Sequence, residues 1–266
     1  WPFLTALVAA AAAGAALQGY RFAVADKDKR LLRQSFGLYL APVMVDRLMA
    51  EHTPPELGGE ERDITVMFSD VAGFTALSEG LTPTQLVQVM NVYLSAMTEI
   101  VESHGGFVDK YIGDAIVAVF GAPVNDPAHA RHAVEAALAC KAKLAAMNAD
   151  PTRPLLGNVL KARIGLNSGP ALVGNIGSKR RFNYTVMGDT VNLASRLEGA
   201  NKYFGSTVLC TGGVRERADA ARGPTVAWRE IDRIRVKGRA APVTVLEPLG
   251  FADTLEGEDP GARRRV

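Results

Sequence analysis

One short segment constrains this chain more than any other: a strand-like run that ends in an aspartate and turns at a glycine into a helix. It reads Phe68-Ser-Asp70-Val-Ala-Gly73-Phe-Thr75. The first turn of such a helix offers backbone N–H groups without intrahelical partners and the positive end of a dipole, which suit a phosphate. Asp70 beside that anion site indicates a divalent cation between carboxylate and phosphate. The alternative is that Asp70 only caps the helix.

A second carboxylate lies at the tip of a predicted hairpin. Two strand-like runs flank the Gly-Asp pair in Lys110-Tyr-Ile-Gly113-Asp114-Ala-Ile-Val, and such a pair alone is more often just a turn. If this hairpin pairs beside the strand that ends at Asp70, the two carboxylates can bridge two Mg²⁺ or Mn²⁺ ions. Without metal their repulsion raises one of the two pKa values. We therefore predict a two-metal site that handles a nucleoside triphosphate.

The elements around this acidic pair predict an α+β domain over residues 60–250, with a mixed or antiparallel sheet and helices mostly on one face. Ser168-Gly169-Pro170 is predicted to be a turn between two strands, and residues 251–266 are predicted to be a disordered tail. The predicted strands are Ile64–Ser69, Phe107–Tyr111, Ala115–Phe120, Lys161–Asn167, Ala171–Ile176, Val208–Cys210, Trp228–Arg235 and Val243–Leu249. The predicted helices are Thr84–His104, Pro127–Asn148 and Thr190–Ala200.

The N-terminal segment differs from the rest of the chain. Residues 1–17 carry no charge and are rich in Ala, Leu and Val, which predicts the end of a transmembrane helix over residues 1–24. A signal peptide would have a basic start. The alternative is a buried or disordered Ala-rich segment. The basic residues that follow place the remainder in the cytoplasm by the positive-inside rule; they are Lys27, Lys29, Arg30 and Arg33.

Residues 25–59 are predicted to connect this membrane helix to the compact domain. Apolar residues recur at helical spacing from Asp26 to Leu48, and Pro42 should begin a second short helix. The Pro- and Gly-containing stretch from Thr53 reads as a linker. We expect this region to carry a signal from the membrane or to pair with a partner helix.

Charge and cysteine content exclude several other classes of protein. The net charge of +2 gives no indication of a nucleic-acid partner. Cys140 and Cys210 are the only cysteines and lie far apart in sequence. They do not form a disulfide framework or a cysteine-rich zinc site, and they suit a reducing compartment.

From about Glu60 to Leu249 the chain resembles the catalytic domain of class III nucleotidyl cyclases. The resemblance rests on several motifs in a fixed order. Besides the two acidic segments, these are Arg163-Ile-Gly-Leu-Asn-Ser-Gly, Tyr184-Thr185-Val-Met-Gly-Asp-Thr-Val-Asn192-Leu-Ala-Ser-Arg196 and Val236-Lys237-Gly. Leu40-Ala-Pro-Val-Met-Val-Asp and Leu57-Gly-Gly-Glu also resemble the leader of bacterial membrane-anchored members.

The resemblance implies a ferredoxin-like fold, related to the palm of polymerases, and a head-to-tail homodimer with active sites at its interface. One protomer would supply the metal ligands Asp70, Val71 and Asp114, and Arg163 for the phosphates. The other would supply Lys110 and Thr185 for the purine, Asn192 for the ribose, and Arg196 and Lys237 for the phosphates. Asn192 and Arg196 are the predicted catalytic pair, and Phe74 and Thr75 complete the predicted substrate-binding set.

The purine-reading residues favour ATP, so the sequence predicts an adenylate cyclase. Lys110 donates, which suits adenine N1, and the Thr185 hydroxyl can accept from N6. Thr185 departs from the aspartate found in the animal transmembrane enzymes and holds no fixed negative charge, so discrimination between bases is expected to be looser. A guanylate cyclase and a catalytically silent nucleotide-binding module are the alternatives.

Overall fold

The structure is a computed structural model that describes residues 1–37, 56–152, 155–235 and 242–255. The chain divides into two units, Trp1–Pro55 and Glu56–Val266. The first unit contains helix α1, Pro2–Gly37. Its part Pro2–Tyr20 has a mean hydropathy of 1.5, lies fully exposed, and is long and apolar enough to cross a membrane. This helix continues past residue 24, and the predicted second helix at Pro42 lies outside the described residues.

The second unit is built on a mixed sheet of eight described strands. They are β1 (Gly58–Val71), β2 (Gly106–Ile112), β3 (Ala115–Phe120), β4 (Ala162–Ser178), β5 (Arg181–Met187), β6 (Val208–Thr211), β7 (Val226–Ile234) and β8 (Val243–Phe251). The strand order is β2-β3-β1-β4-β6-β8-β7, and β5 pairs with β4 beyond that path. Only β4 and β6 pair in parallel among the described strands. The sheet begins at Gly58, inside the predicted linker.

Helices cover both faces of this sheet, with most of them on one face as the sequence predicted. The helices in the described part of this unit are α2 (Phe74–Glu79), α3 (Pro83–Ser103), α4 (His129–Ala149), α5 (Asp189–Phe204), α6 (Gly212–Ala220) and α7 (Ala252–Leu255). The larger core lies between the sheet and the apolar sides of α3, α4 and α6. Helix α5 packs on the opposite face, where Leu193 and Leu197 meet Leu209 and Val245.

The predicted turn at Ser168-Gly169-Pro170 is wrong, because β4 runs through these residues as one strand. Long strand β1 pairs with β4 along its whole length and holds Gly169 opposite Ile64 and Pro170 opposite Asp63. On the other side of β4, pairing with β6 ends at Leu166 and pairing with β5 starts at Leu172. Proline has no backbone N–H to donate to a neighbouring strand. Pro170 lies between these two pairings, where no described strand pairs with this edge of β4.

Three described elements were missed by the sequence analysis. The prediction of a disordered tail from residue 251 is wrong for its first residues, because β8 ends at Phe251 and the short helix α7 follows at Ala252–Leu255. Strand β5 returns beside β4 after a tight turn between Ser178 and Arg181, although its Tyr184-Thr185 segment had been recognised as a motif. Helix α6 directly follows β6 and buries Val214 and Ala218 against the main core. The other predicted strands and helices are present, with ends shifted by a few residues.

Candidate active site

The acidic pair is brought together by the pairing of β1 with the β2–β3 hairpin. Strand β3 lies antiparallel to β1, with Ile116 opposite Ser69, and the hairpin turns at Gly113, whose φ of +65° suits glycine. The backbone N–H of Val71 donates to Oδ2 of Asp114 across 3.2 Å. Burial, together with the hydrogen-bonded carboxyl group of Asp70, raises the pKa of Asp114 to about 6. The direction of the shift agrees with the raised pKa expected of the pair without metal, but burial is its largest cause and charge repulsion from Asp70 is a smaller one.

Arg163 closes one side of this acidic pair. It lies directly opposite Asp70 on the neighbouring strand β4, and its Nη2 donates to Oδ2 of Asp70 at 2.7 Å. Its Nε lies 2.9 Å from Oε1 of Glu198 on α5. The N–H at Nε does not point at that oxygen, so this second contact is a charge pair and not a hydrogen bond. Arg163 is therefore held between two carboxylates.

Gly165 allows Glu198 to come this close. A Cβ at residue 165 would lie 2.3 Å from the carbonyl oxygen of Ala194 and 2.3 Å from the backbone nitrogen of Glu198. Helix α5 therefore rests directly on β4 at this glycine, and no larger residue fits without moving the helix. The close approach places Glu198 beside Arg163, two strand positions away.

The residues present fit a divalent metal that also binds substrate. Mg²⁺ prefers hard oxygen ligands and is usually held by one or two carboxylates plus substrate phosphates. Asp70 and Asp114 supply two carboxylates, and Val71 can contribute only its backbone oxygen because its side chain is apolar. The described residues contain no group of three or more His, Cys, Asp or Glu side chains that could hold an ion. The donor set therefore suits a metal that arrives with a phosphate ligand.

A second cluster joins the two residues predicted to read the purine. Nζ of Lys110 on β2 donates to Oγ1 of Thr185 on β5 across 3.0 Å. The same hydroxyl donates to Oδ2 of Asp109 across 2.8 Å. Thr185 is 6% exposed, whereas the Lys110 side chain is 42% exposed and can reach a ligand. The structure thus brings Lys110 and Thr185 together within one chain.

Among the described residues, no hydrogen bond or ion pair joins the side chains of the predicted catalytic residues Asn192 and Arg196 to either cluster. They are four residues apart on α5 and so share one face of that helix. Asn192 is exposed and Arg196 is half-buried. Nη1 of Arg196 is buried and has no hydrogen-bond partner among the described residues. An open cavity of about 590 Å³ beside it is also lined by Tyr203, Phe204 and Arg235.

The remaining predicted site residues are Phe74, Thr75 and Lys237. Phe74 and Thr75 form the first turn of α2, directly after the strand that carries Asp70. Lys237 lies outside the described residues, although Arg235, two positions before it, borders the cavity beside Arg196.

Two residues of this site were missed by the sequence analysis. Asp109 was read only as part of a motif, although a carboxylate in a strand-like run next to Lys110 was a usable signal. Glu198 carried no such signal, because an acidic residue on an amphipathic helix is normally solvated. Its role depends on the packing of α5 at Gly165.

Solved structures of cyclases define the class of protein to which this fold belongs. The guanylyl cyclase Cya2 is 34% identical, with a TM-score of 0.64, over 74% of this chain and 96% of that one. The adenylyl cyclase CyaB from P. aeruginosa is 32% identical, with a TM-score of 0.65, over 73% and 96% of the two chains. Proteins at this level of sequence identity to the chain therefore include both a guanylyl cyclase and an adenylyl cyclase.

The family model of the adenylate and guanylate cyclase catalytic domain matches residues 59–246. The chain belongs to this family, which confirms the resemblance carried by its motifs. Adenylate cyclase 1 of Rhizobium meliloti (strain 1021) is 36% identical over 227 residues, or 85% of this chain and 33% of that protein. The adenylate cyclase of Anabaena cylindrica is 31% identical over 228 residues, or 84% and 42%. The chain thus spans well under half the length of these two curated relatives.

Proposed function

We propose that this chain is the catalytic part of an adenylate cyclase that converts ATP into 3′,5′-cyclic AMP and pyrophosphate. The observation that carries the proposal is the contact between Lys110 and Thr185, which presents a donor and an acceptor side by side. Adenine offers the complementary N1 acceptor and N6 donor. The similarity to two bacterial proteins named adenylate cyclase supports the same substrate.

The reaction is an in-line displacement within one nucleotide. The ribose 3′-oxygen forms a bond to the α-phosphorus, and the bond from that phosphorus to the leaving pyrophosphate breaks. Asn192 positions the ribose, and the guanidinium of Arg196 stabilises the charge that develops on the α-phosphate. The unpaired, buried Nη1 of Arg196 is suited to such a ligand oxygen. Lys237, and the backbone N–H groups of Phe74 and Thr75, would hold the other phosphates.

Two Mg²⁺ or Mn²⁺ ions per site would be held by Asp70, Asp114 and the backbone oxygen of Val71. When bound, they would lower the pKa of the 3′-hydroxyl and neutralise charge on the triphosphate. Arg163 lies against Asp70 and orients that carboxylate. Its guanidinium is also available to the phosphates, as the family resemblance implies.

A complete site requires two chains in this proposal. Within the described part of one chain, Asn192 and Arg196 make no hydrogen bond or ion pair with the acidic pair or with Lys110 and Thr185, while the exposed face that carries Asn192 is open to a partner. This separation supports a head-to-tail homodimer, in which one protomer supplies the metal ligands and its partner supplies the purine, ribose and phosphate contacts.

The N-terminal helix supports a location at the cell membrane. Its exposed apolar part, Pro2–Tyr20, matches the thickness of a bilayer core, and the basic residues that follow it favour a cytoplasmic side for the catalytic unit. A nucleic-acid partner is not part of the proposal.

The substrate is tested by incubating the chain with ATP or with GTP in the presence of Mn²⁺ and measuring each cyclic product. We expect cyclic AMP to exceed cyclic GMP. An equal or greater yield of cyclic GMP would instead identify a guanylate cyclase, the alternative favoured by the similarity to Cya2. The Asp70→Asn variant, purified in the same way, serves as the matched control for contaminating activity.

A further inference from the structure

Strand β2 contains a β-bulge at Asp109. Val108 lies opposite Ala118 and Lys110 lies opposite Val117, so Asp109 is an extra residue without a partner on β3. Successive side chains of a regular strand point to opposite faces of the sheet. A bulge re-aims a side chain, and here the side chains of Asp109 and Lys110 converge on the same hydroxyl group.

The three side chains form a closed set of contacts. Oγ1 of Thr185 donates to Oδ2 of Asp109 at 2.8 Å and accepts from Nζ of Lys110 at 3.0 Å. Nζ of Lys110 also lies 3.4 Å from Oδ2 of Asp109, whose side chain is only 2% exposed. Oδ1 of Asp109 is buried without a hydrogen-bond partner among the described residues. A buried carboxylate with an unsatisfied oxygen is costly, and packing alone does not account for it.

These contacts determine which hydrogen bonds the hydroxyl group of Thr185 can still make with a ligand. A hydroxyl group has one proton to donate and two lone pairs to accept with. The proton of Thr185 is committed to the Asp109 carboxylate, and one lone pair is committed to the Lys110 ammonium. Only a second lone pair remains, so Thr185 can accept a hydrogen bond from a ligand but cannot donate one.

We propose that Asp109 is a specificity-determining positioning residue, which holds Thr185 as an acceptor so that the site favours the amino group of adenine over the O6 oxygen of guanine. The inference rests on the proposed function, because it assumes that Lys110 and Thr185 read the purine. Through its hydrogen bond with Thr185, Asp109 supplies the fixed negative charge that a threonine itself lacks.

The carboxylate form of Asp109 is required for this role. Burial raises its pKa above the ordinary value, and the hydrogen bond from Thr185 and the positive charge of Lys110 offset part of that shift. An asparagine at this position can turn its amide N–H₂ group toward Thr185. Thr185 would then accept from the amide, and its proton would be free to bond guanine O6.

The test is the Asp109→Asn variant of the full chain, assayed for preference between ATP and GTP. Preference is measured as the ratio of kcat/KM values, and also as the ratio of concentrations of ATP and GTP that displace a fluorescent ATP analogue. Both ratios are independent of the fraction of folded protein. Loss of one directed hydrogen bond corresponds to about tenfold, so we expect the preference for ATP to fall by about tenfold. Asp150→Asn is the matched carboxylate-to-amide control, because the carboxylate of Asp150 accepts hydrogen bonds from Thr152 in an exposed position directly after α4.

A double variant, in which Thr185→Val is combined with Asp109→Asn, tests whether Asp109 acts through Thr185. In Thr185→Val the hydroxyl is absent, so the further change Asp109→Asn should leave the ATP-to-GTP ratio unaltered. An unchanged ratio in Asp109→Asn alone, or an equal change in the Thr185→Val background, would overturn the inference. Absence of cyclic product from the wild-type chain would contradict the proposed function instead, and the displacement ratio would still decide the role of Asp109.

Discussion

Arg163 and Asp70 face each other across strands β4 and β1, with Nη2 of the arginine 2.7 Å from Oδ2 of the aspartate. Glu198 approaches the other side of the same guanidinium. The carboxylate of Asp70, a proposed metal ligand, is therefore oriented by a cation that Glu198 of α5 holds from its other side. A lysine at this position has a single point charge and cannot hold both carboxylates.

The Arg163→Lys variant should lower cyclase activity by about 10- to 100-fold, as is usual when a residue that orients a metal ligand is changed. The half-saturating Mn²⁺ concentration should rise more than the KM for ATP. Titration of Mn²⁺ at fixed ATP, and of ATP at fixed Mn²⁺, measures the two effects. A rise in KM for ATP alone would show that Arg163 acts on the phosphates and not through Asp70. Arg215→Lys, at an exposed pair with Asp219 on α6, is the control.

Two inactive variants should restore each other when mixed. Asp70→Ala removes a proposed metal ligand and Arg196→Ala removes a proposed phosphate contact, and in the proposed dimer these belong to different chains at each site. Equal mixing makes half of the dimers mixed, each with one intact site of two, so activity should recover to about a quarter of the wild-type value. Absence of recovery, with mixed dimers demonstrated by differently tagged chains, would contradict the shared site.

The raised pKa of Asp114 predicts how stability depends on pH in the absence of metal. Since its folded pKa of about 6 exceeds the ordinary value, the folded chain binds an extra proton between about pH 4 and 6. The resulting stabilisation is present at low pH and is lost as the pH rises through 6. Asp114→Asn removes the penalty above pH 6, which we put at about 1 kcal/mol after allowing for solvent screening.

Thermal unfolding in EDTA measures this effect. Asp114→Asn should unfold roughly 2–4 °C above the wild type at pH 7.5, and the difference should be much smaller at pH 4.5, where most of the penalty has not yet developed. Mn²⁺ at pH 7.5 should raise the Tm of the wild type more than that of the variant. An equal difference between the two proteins at both pH values would exclude titration of Asp114 as the cause.

The contact of α5 with β4 at Gly165 predicts a position that tolerates no side chain. Gly165→Ala places a methyl group 2.3 Å from backbone atoms of α5 and should destabilise the fold by about 1–3 kcal/mol. Gly199→Ala, on the same helix with nothing within 4 Å, should instead stabilise it by about 0.5–1 kcal/mol. Urea unfolding compares the two variants, and a neutral Gly165→Ala would contradict the close approach.

The proposed membrane helix predicts that one charge releases the chain from membranes. Val8 lies near the middle of the apolar segment Pro2–Tyr20, and an aspartate there costs about 2.5–3.5 kcal/mol on insertion. Val8→Asp should shift expressed protein from the membrane fraction to the supernatant after carbonate washing. Val87→Asp, at a similarly exposed valine of α3, should not. Equal partitioning of both variants would argue against the anchor.

The predictions from sequence were most accurate for elements whose structure is determined by their own residues. Strand β3 was predicted with its observed bounds and β2 within one residue, because apolar runs on either side of Gly113-Asp114 leave few alternatives to a hairpin. The strand through Gly169 and Pro170 could not be predicted in this way. It is maintained by pairing with β1, and that long-range contact overrides two residues that locally favour a turn.

The same distinction holds for the site. Asp70 and Asp114 follow from strand ends and turn chemistry, and their proximity follows from the pairing of neighbouring strands. The roles of Asp109 and Glu198 depend on a single extra residue in β2 and on a helix resting against Gly165. Neither the bulge nor the helix packing produces a hydrophobic periodicity or a motif by which a single sequence would reveal it.

The β2–β3 hairpin has a kinetic consequence in the proposed dimer. It carries Lys110 and Asp114 only four residues apart, yet one reads the purine of one site and the other binds metal in the second site. Nucleotide bound at the first site would hold the strand that positions a metal ligand of the second. Turnover is therefore expected to depend on ATP concentration with a Hill coefficient different from one, and a mixed dimer with a single intact site is expected to lose that cooperativity.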